Sequence, residues 1–217
     1  MVGDPFTGDQ HRIALPLSFD EEKIMHTSGT VLHVAGDIVR HFQVALVVDD
    51  DDRLHRQALT CVYSSETGES GDLISTPLTS GVGVAMIMPT VLDRNSLYWQ
   101  LIRVSFQILE FDLERHDLAV IPMPQDLYAR AACGFTVTRA EGGGLGCLIV
   151  SNQCAELWKM MTDRDGIITW VLGRTIEGQT TFPQSMEGER SPFHTSVCRG
   201  QQCGVRVDIY RRIHGSS

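Results

Sequence analysis

Several groups of residues in this 217-residue chain could do chemistry, and their spacing decides each case. The run Glu141-Gly-Gly-Gly-Leu-Gly-Cys147 has enough glycine to wrap a phosphate. It lacks the GxGxxG order, no Lys-Ser/Thr pair follows, and the next residues, LIVS, have the composition of a strand rather than of a helix N-terminus. A tight turn between strands is expected instead. The acidic run Asp49-Asp50-Asp51-Asp52 has the charge for Ca²⁺, but RLHRQALT supplies neither alternating ligands, a central glycine nor a distal glutamate. It reads as a solvated inter-strand loop. Cys198 and Cys203, with His194 and His214 nearby, could form half a zinc site, yet their spacing is wide and no second cysteine pair is adjacent. The other histidines (His11, His26, His33, His41, His55 and His116) are dispersed and form no HExxH pattern.

Nucleophilic catalysis fares no better. Ser70 sits in Gly68-Glu-Ser-Gly71, and Asp72 stands where a GxSxG elbow needs its last glycine. Glu110 and Asp112 share a face at strand period, where a carboxylate pair is expected to be solvated. The residues therefore point to no catalytic, cofactor-binding or metal-binding site, to no cofactor, and to no enzyme. The substrate-contacting residues are left unknown.

The elements that would carry these residues are short and β-rich. Runs at 31–34, 42–48, 59–64, 96–102, 106–111, 118–121, 134–138, 145–150, 156–160 and 167–176 are bounded by glycine, serine, aspartate and proline. The best helical candidate, 96–113, is interrupted by β-branched and aromatic residues and has no cap signals. The stretch ELWKMMTDRDGIITWVLGRTI reads as a hairpin: a strand at 156–161, a turn at 163–166 with Gly166 left-handed, and a return at 167–176. Trp158 and Trp170 are then packing residues on a sheet face.

Three turns share one grammar. Asp4-Pro-Phe-Thr-Gly8, Ser64-Ser-Glu-Thr-Gly68 and Asp112-Leu-Glu-Arg-His116 each begin with a side-chain oxygen that can accept a backbone N–H. Each reaches a turn-forming residue four positions later, and each leads into an apolar strand that closes in proline, at Pro16, Pro77 and Pro122. The offsets are 60 and 48 residues. GTVLHV and NSLYWQ form a second echo. A repeat of roughly 45–60 residues holding about four short strands has the size of a propeller blade.

The order DPFTGDQHRIALPL, ALTCVYSSETGESGDLISTPL, NSLYW, ILEFDLERHDLAVIPMP and RAEGGGLGCLIVSNQCAELWKMMTDRDGIITWVLGRTIE resembles the C-terminal β-propeller region of plant F-box proteins, particularly those of grasses. The resemblance runs from Asp4 to about Glu177. It implies an all-β fold, a partial, open β-propeller of about four blades spanning residues 1–177 and starting mid-blade. It also implies the substrate-recognition region of an SCF-type ubiquitin ligase, with the turns acting as blade hairpins. A Skp-type adaptor and cullin would be partners only if an F-box, which is expected to be lacking here, were supplied upstream. Residues 178–217 depart from the family's pattern and are expected to form a divergent, poorly ordered tail.

Composition narrows the function further. Apolar residues make up 42% and charged residues 21%, as in a soluble globular domain. The net charge of −9 argues against a phosphate backbone as partner. No secretory signal or apolar span long enough for a bilayer is visible, and the six scattered cysteines read as reduced hydrophobes. A cytoplasmic or nuclear protein-binding module is expected, with an unknown protein target and neither nucleic acid nor membrane as partner. The alternatives are a truncated product with no ligase role and a propeller-type hydrolase.

Overall fold

In a computed structural model of the chain, the described residues are 2–3, 10–11, 13, 16, 19, 24–33, 41–52, 55–79, 82–84, 88, 90–103, 107–130, 134–151, 154–177 and 206–207. The chain divides into two compact units, Met1–Ser75 with Arg190–Ser217, and Thr76–Glu189. The fold is all-β, built on antiparallel sheets of four, five and four strands, with a further three-stranded sheet of two-residue strands. Among the described residues, no helix is long and apolar enough to cross a membrane.

The first unit opens with β1 (Val2–Gly3) and β2 (Gln10–His11), an antiparallel pair that brackets the first of the three expected turns. Residues 4–9 themselves lie outside the described residues. A four-stranded sheet follows in chain order: β3 (Ile24–His33), β4 (Phe42–Asp52), β5 (His55–Ser64) and β6 (Ile74–Pro77). β4 is a central strand, and its side chains from Val44 to Asp49 are buried on both faces. That explains the unbroken apolar run VALVV, which a strand with one wet face would interrupt. Val44, Leu46 and Val48 pack with Phe19, Leu59 and Cys61. The acidic run is not the solvated loop its composition implies, because all four aspartates lie in β4. Asp49 is fully buried, with Arg56 Nη2 3.5 Å from its carboxylate. A neighbouring strand brings the guanidinium to the carboxylate, which local sequence cannot signal.

The second unit holds two sheets. In one, β9 (Ser96–Arg103), β10 (Gln107–Asp112) and β11 (Asp117–Pro122) run antiparallel. The remaining edge of β9 is shared by two short strands, β7 (Val82–Val84) at residues 101–103 and β8 (Val91–Asp93) at residues 96–98. The intervening sequence contains Pro89, which has no amide to donate to a ladder. After β11 comes a one-and-a-half-turn helix, α1 (Gln125–Arg130), which sequence reading misses because it carries a single core residue, Leu127. The other sheet is β12 (Gly134–Arg139), β13 (Leu145–Val150), β14 (Cys154–Thr162) and β15 (Ile168–Glu177).

These two sheets pack through Tyr98, Ile108 and Ile121 on one side and Phe135, Val137, Leu145, Cys147 and Ile149 on the other, with Leu127 added from α1. Trp158, Met160 and Trp170 pack against this cluster, so both tryptophans of the expected hairpin sit on a sheet face. Gln100 Nε2 donates to the Phe135 carbonyl at 2.9 Å and links the sheets through a buried polar contact. Each fully buried aliphatic or aromatic side chain here contributes on the order of 1.5–3 kcal/mol. Of residues 178–217, those described are Arg206 and Val207, which form β16 (Arg206–Val207) and pair antiparallel with β1.

The turns recur at one position. Ser64–Gly68 joins β5 to β6, the 112–116 turn joins β10 to β11, and Asp163–Gly166 joins β14 to β15, always the last two strands of the sheet. Gly68 has φ 74°, His116 φ 52° and Gly166 φ 81°, so each turn contains one left-handed residue. Asp112 Oδ1 accepts from the amides of Glu114 and Arg115, and Asp163 Oδ1 from those of Asp165 and Ile167. Ser64 Oγ accepts from the Glu66 amide. Pro77 and Pro122 end the strands that follow, as expected.

Gly146 of β13 offers a direct check on the packing. A Cβ there would lie 2.8 Å from the Trp158 carbonyl and 3.2 Å from Ala140 Cβ. Gly146→Ala is expected to destabilise the second unit by about 1–3 kcal/mol, whereas Gly71→Ala, 3.6 Å from its nearest neighbour, spares it. All three tryptophans lie in the second unit, so urea denaturation followed by tryptophan fluorescence reads the difference. Equal midpoints for the two variants would contradict it.

Candidate functional site

The second unit gathers three turns into one polar surface. Asp93 ends β8, and Arg94, at φ 51°, turns the chain with Asn95 into β9. The 112–116 turn lies against it. The Leu113 amide donates to the Asn95 carbonyl at 2.8 Å, and Asn95 Nδ2 donates to Glu114 Oε2 at 3.1 Å. His116 closes that turn with its ring stacked on Phe111, centroids 6.5 Å apart.

The third turn, residues 140–144, comes from the neighbouring sheet. Arg139 Nε donates to Asp93 Oδ1 at 3.1 Å, and a Cβ on Gly143 would stand 4.0 Å from that oxygen. Asp93 is 6% exposed, while the Arg139 side chain is 64% exposed. A nearly buried carboxylate therefore holds the two sheets' turns side by side. Its charge-assisted partner reaches in from solvent. Around this anchor, Arg94, Asn95, Glu114, Arg115, His116 and Glu141 are exposed. The surface mixes both charges with amide and imidazole groups. Its chemistry is hydrogen bonding and ion pairing.

The residues weighed from sequence are not brought together. Gly142, Gly143 and Gly144 take φ of 76°, 86° and 91° in the β12–β13 turn. The Gly143 amide donates to the Ala140 carbonyl and the Ala140 amide to the Gly144 carbonyl, so two turn amides face into the hairpin instead of toward an anion. Glu110 accepts from the Tyr98 hydroxyl at 2.9 Å, and Asp112 caps its turn. Neither carboxylate is simply solvated: each is held by a bond that shapes the sheet. Burial raises the Cys61 thiol to about 11, and the nearby Ser70 side chain offsets this in part. Among the described residues no group of three His, Cys, Asp or Glu could hold a metal ion. Cys198, Cys203, His194 and His214 lie outside them.

The sequence reading overlooked Asp93, Arg94, Asn95 and Arg139. The signal for the first three was present: Asp-Arg-Asn-Ser between two apolar runs is a tight-turn string. Arg139 carries no local signal, since its partner is 46 residues away. Comparisons of this chain with protein-family models, with curated proteins and with solved structures returned no match.

Buried ionisable groups give this unit a pH signature. Burial pushes the Cys147 thiol from 9.0 up to about 12. Burial, and then the Glu110 charge, raise the Tyr98 phenol from 10.0 to about 12. Between those limits the unfolded chain releases protons that the folded unit retains, so stability is full below about pH 9 and falls as pH rises toward 12. Urea midpoints by tryptophan fluorescence are expected to drop steadily across that window. Cys147→Ala is expected to flatten the slope, even though it lowers the starting stability. A wild-type midpoint that stays level would overturn the assignment.

Proposed function

We propose that this chain is a non-catalytic protein-binding module whose sheets are blades of a β-propeller, resembling the substrate-recognition region of an SCF-type F-box protein. One observation carries the reading: the same side-chain-capped turn joins the last two strands in three successive antiparallel sheets. Chain-order, up-and-down sheets of that kind, repeated about every 50 residues, have the construction of propeller blades. A scaffold of this type presents its turns at the ends of the sheets, where recognition can vary without disturbing the core.

The surface around Asp93 fits that role. Its turns are braced by backbone and side-chain bonds, so Arg94, Asn95 and Arg115 are displayed on a rigid base. Preorganised polar groups lose little entropy on binding, and their charges select among partners. The hydrolase alternative would need Ser70 beside a base, and the neighbour that bears on its hydroxyl is the Cys61 thiol.

Affinity capture from cell extract with the chain and with an Arg94→Glu/Arg115→Glu variant tests the binding reading. A stoichiometric protein partner is expected, with at least a tenfold loss of affinity in the variant, roughly 1.4 kcal/mol. A partner whose affinity is unchanged would move recognition away from this surface, and none at all would remove the reading. The ligase role is tested separately. The chain alone is expected not to bind a Skp-type adaptor. Fused behind an F-box, it is expected to direct ubiquitylation of the captured partner in a reconstituted reaction, and failure there would leave binding without a ligase.

A further inference from the structure

On the polar surface around Asp93 most carboxylates are committed, while two guanidiniums are not. Asp93 holds Arg139, Asp112 Oδ1 accepts the amides of Glu114 and Arg115, and Glu114 accepts from Asn95. Glu141 lies 3.7 Å from Arg174. Asp117, opposite Asp112 in the ladder, is exposed and is the carboxylate left over. Arg94 and Arg115 are exposed too, and among the described residues neither guanidinium has a hydrogen bond or ion pair. Arg94 carries a second sign. With His116 it makes up the non-glycine residues at positive φ among those described, at 51° and 52°. Glycine takes that conformation without steric cost, as at Gly68 and Gly166. Stacking on Phe111 accounts for the His116 side chain. No such contact accounts for Arg94 among the described residues, and backbone strain held under an exposed, unpaired charge points to use outside the chain.

We propose, resting on the protein-binding reading above, that Arg94 and Arg115 receive carboxylates from a short segment of the partner carrying one or two Asp or Glu side chains. The two arginines share a base. Arg94 precedes Asn95, whose carbonyl accepts from the Leu113 amide and whose side chain holds Glu114, next to Arg115. A guanidinium is always charged, and its planar fork matches a carboxylate through two parallel hydrogen bonds. The count of acidic groups is limited by the rest of the chain. A net charge of −9 repels a polyanion, so the match is local and made with few charges. At physiological salt, charges beyond about 8 Å are largely screened, which leaves the two arginines to decide the contact at close range.

An array of short peptides probed with the intact chain, followed by fluorescence anisotropy on the peptides it retains, tests this. Retained peptides are expected to carry one or two Asp or Glu, and their Asn or Gln counterparts to lose binding. Arg94→Gly and Arg115→Gln are each expected to weaken binding roughly tenfold. Glycine suits φ 51°, so Arg94→Gly should leave the urea midpoint no lower, which separates lost recognition from lost folding. Asp117→Asn removes the neighbouring negative charge and is expected to tighten binding, a gain that a purely structural role does not produce. Phosphoserine in place of the acidic residue is expected to bring no gain, because the chain's own charge opposes the added one. No retained peptide, a retained set without acidic enrichment, a gain from phosphoserine, or binding indifferent to Arg94→Gly and Arg115→Gln would each overturn the inference. The binding reading is judged apart: a partner captured by the chain and lost in the Arg94→Glu/Arg115→Glu variant preserves it even where the peptide results fail.

Discussion

A four-stranded antiparallel sheet with apolar side chains on both faces cannot stand alone in water, and the rest of this structure depends on that constraint. One face can be covered by a neighbouring sheet, but the second then requires another neighbour. In the β9–β11 sheet, Leu97, Trp99, Leu101, Leu109 and Phe111 on one face and Tyr98, Ile108 and Ile121 on the other are all at most 7% exposed. β4 in the first unit is buried on both faces in the same way. Among the described residues, the β12–β15 sheet packs toward β9–β11, and its exposure concentrates on β15. The same demand for neighbours that favours a repetitive scaffold leaves an apolar edge wherever the series of neighbours stops.

Repetition of this kind needs a cheap and reliable way to reverse the chain, and the capped turn supplies it. An aspartate or serine oxygen takes the amides that a reversal would leave unpaired, and one residue enters the left-handed region. Glycine fills that position at Gly68 and Gly166 without steric cost. His116 adopts the same conformation with a side chain, and its ring stacks on Phe111, so contact with the strand offsets part of the backbone strain. Because turn chemistry is local, it holds register without help from the core. The side chains between the cap and the left-handed residue are then free to vary.

That locality also sets what could be read from the sequence. The ten expected strands all fall on observed ones, since alternation and turn residues act within a few positions of each other. The Asp163 turn was read as a hairpin but left out of the three-turn echo, yet it occupies the same place in its sheet as the turns at Ser64 and Asp112. Its glycine falls three positions after the cap rather than four, which hid the likeness. The short strands β7 and β8 were missed because three residues carry too little periodicity to register. Asp49 with Arg56, and Asp93 with Arg139, were misread or passed over for a different reason. Both are made across strands, and a carboxylate in a polar-looking string gives no sign that a guanidinium will be folded onto it.

The two buried carboxylates clarify how exposed turns can be held in a fixed arrangement from beneath. A charge that is almost wholly removed from water must keep its partner, because an unpaired buried carboxylate costs several kcal/mol. Asp93 therefore fixes Arg139, and through Arg139 the end of β12, relative to the turn that carries Arg94 and Asn95. Asn95 extends the constraint to Glu114 through its side chain and to Leu113 through its carbonyl. Three loops from two sheets thus move as one body around a single buried charge. Replacing exposed residues on that body would leave its bracing intact, whereas altering Asp93 would release it.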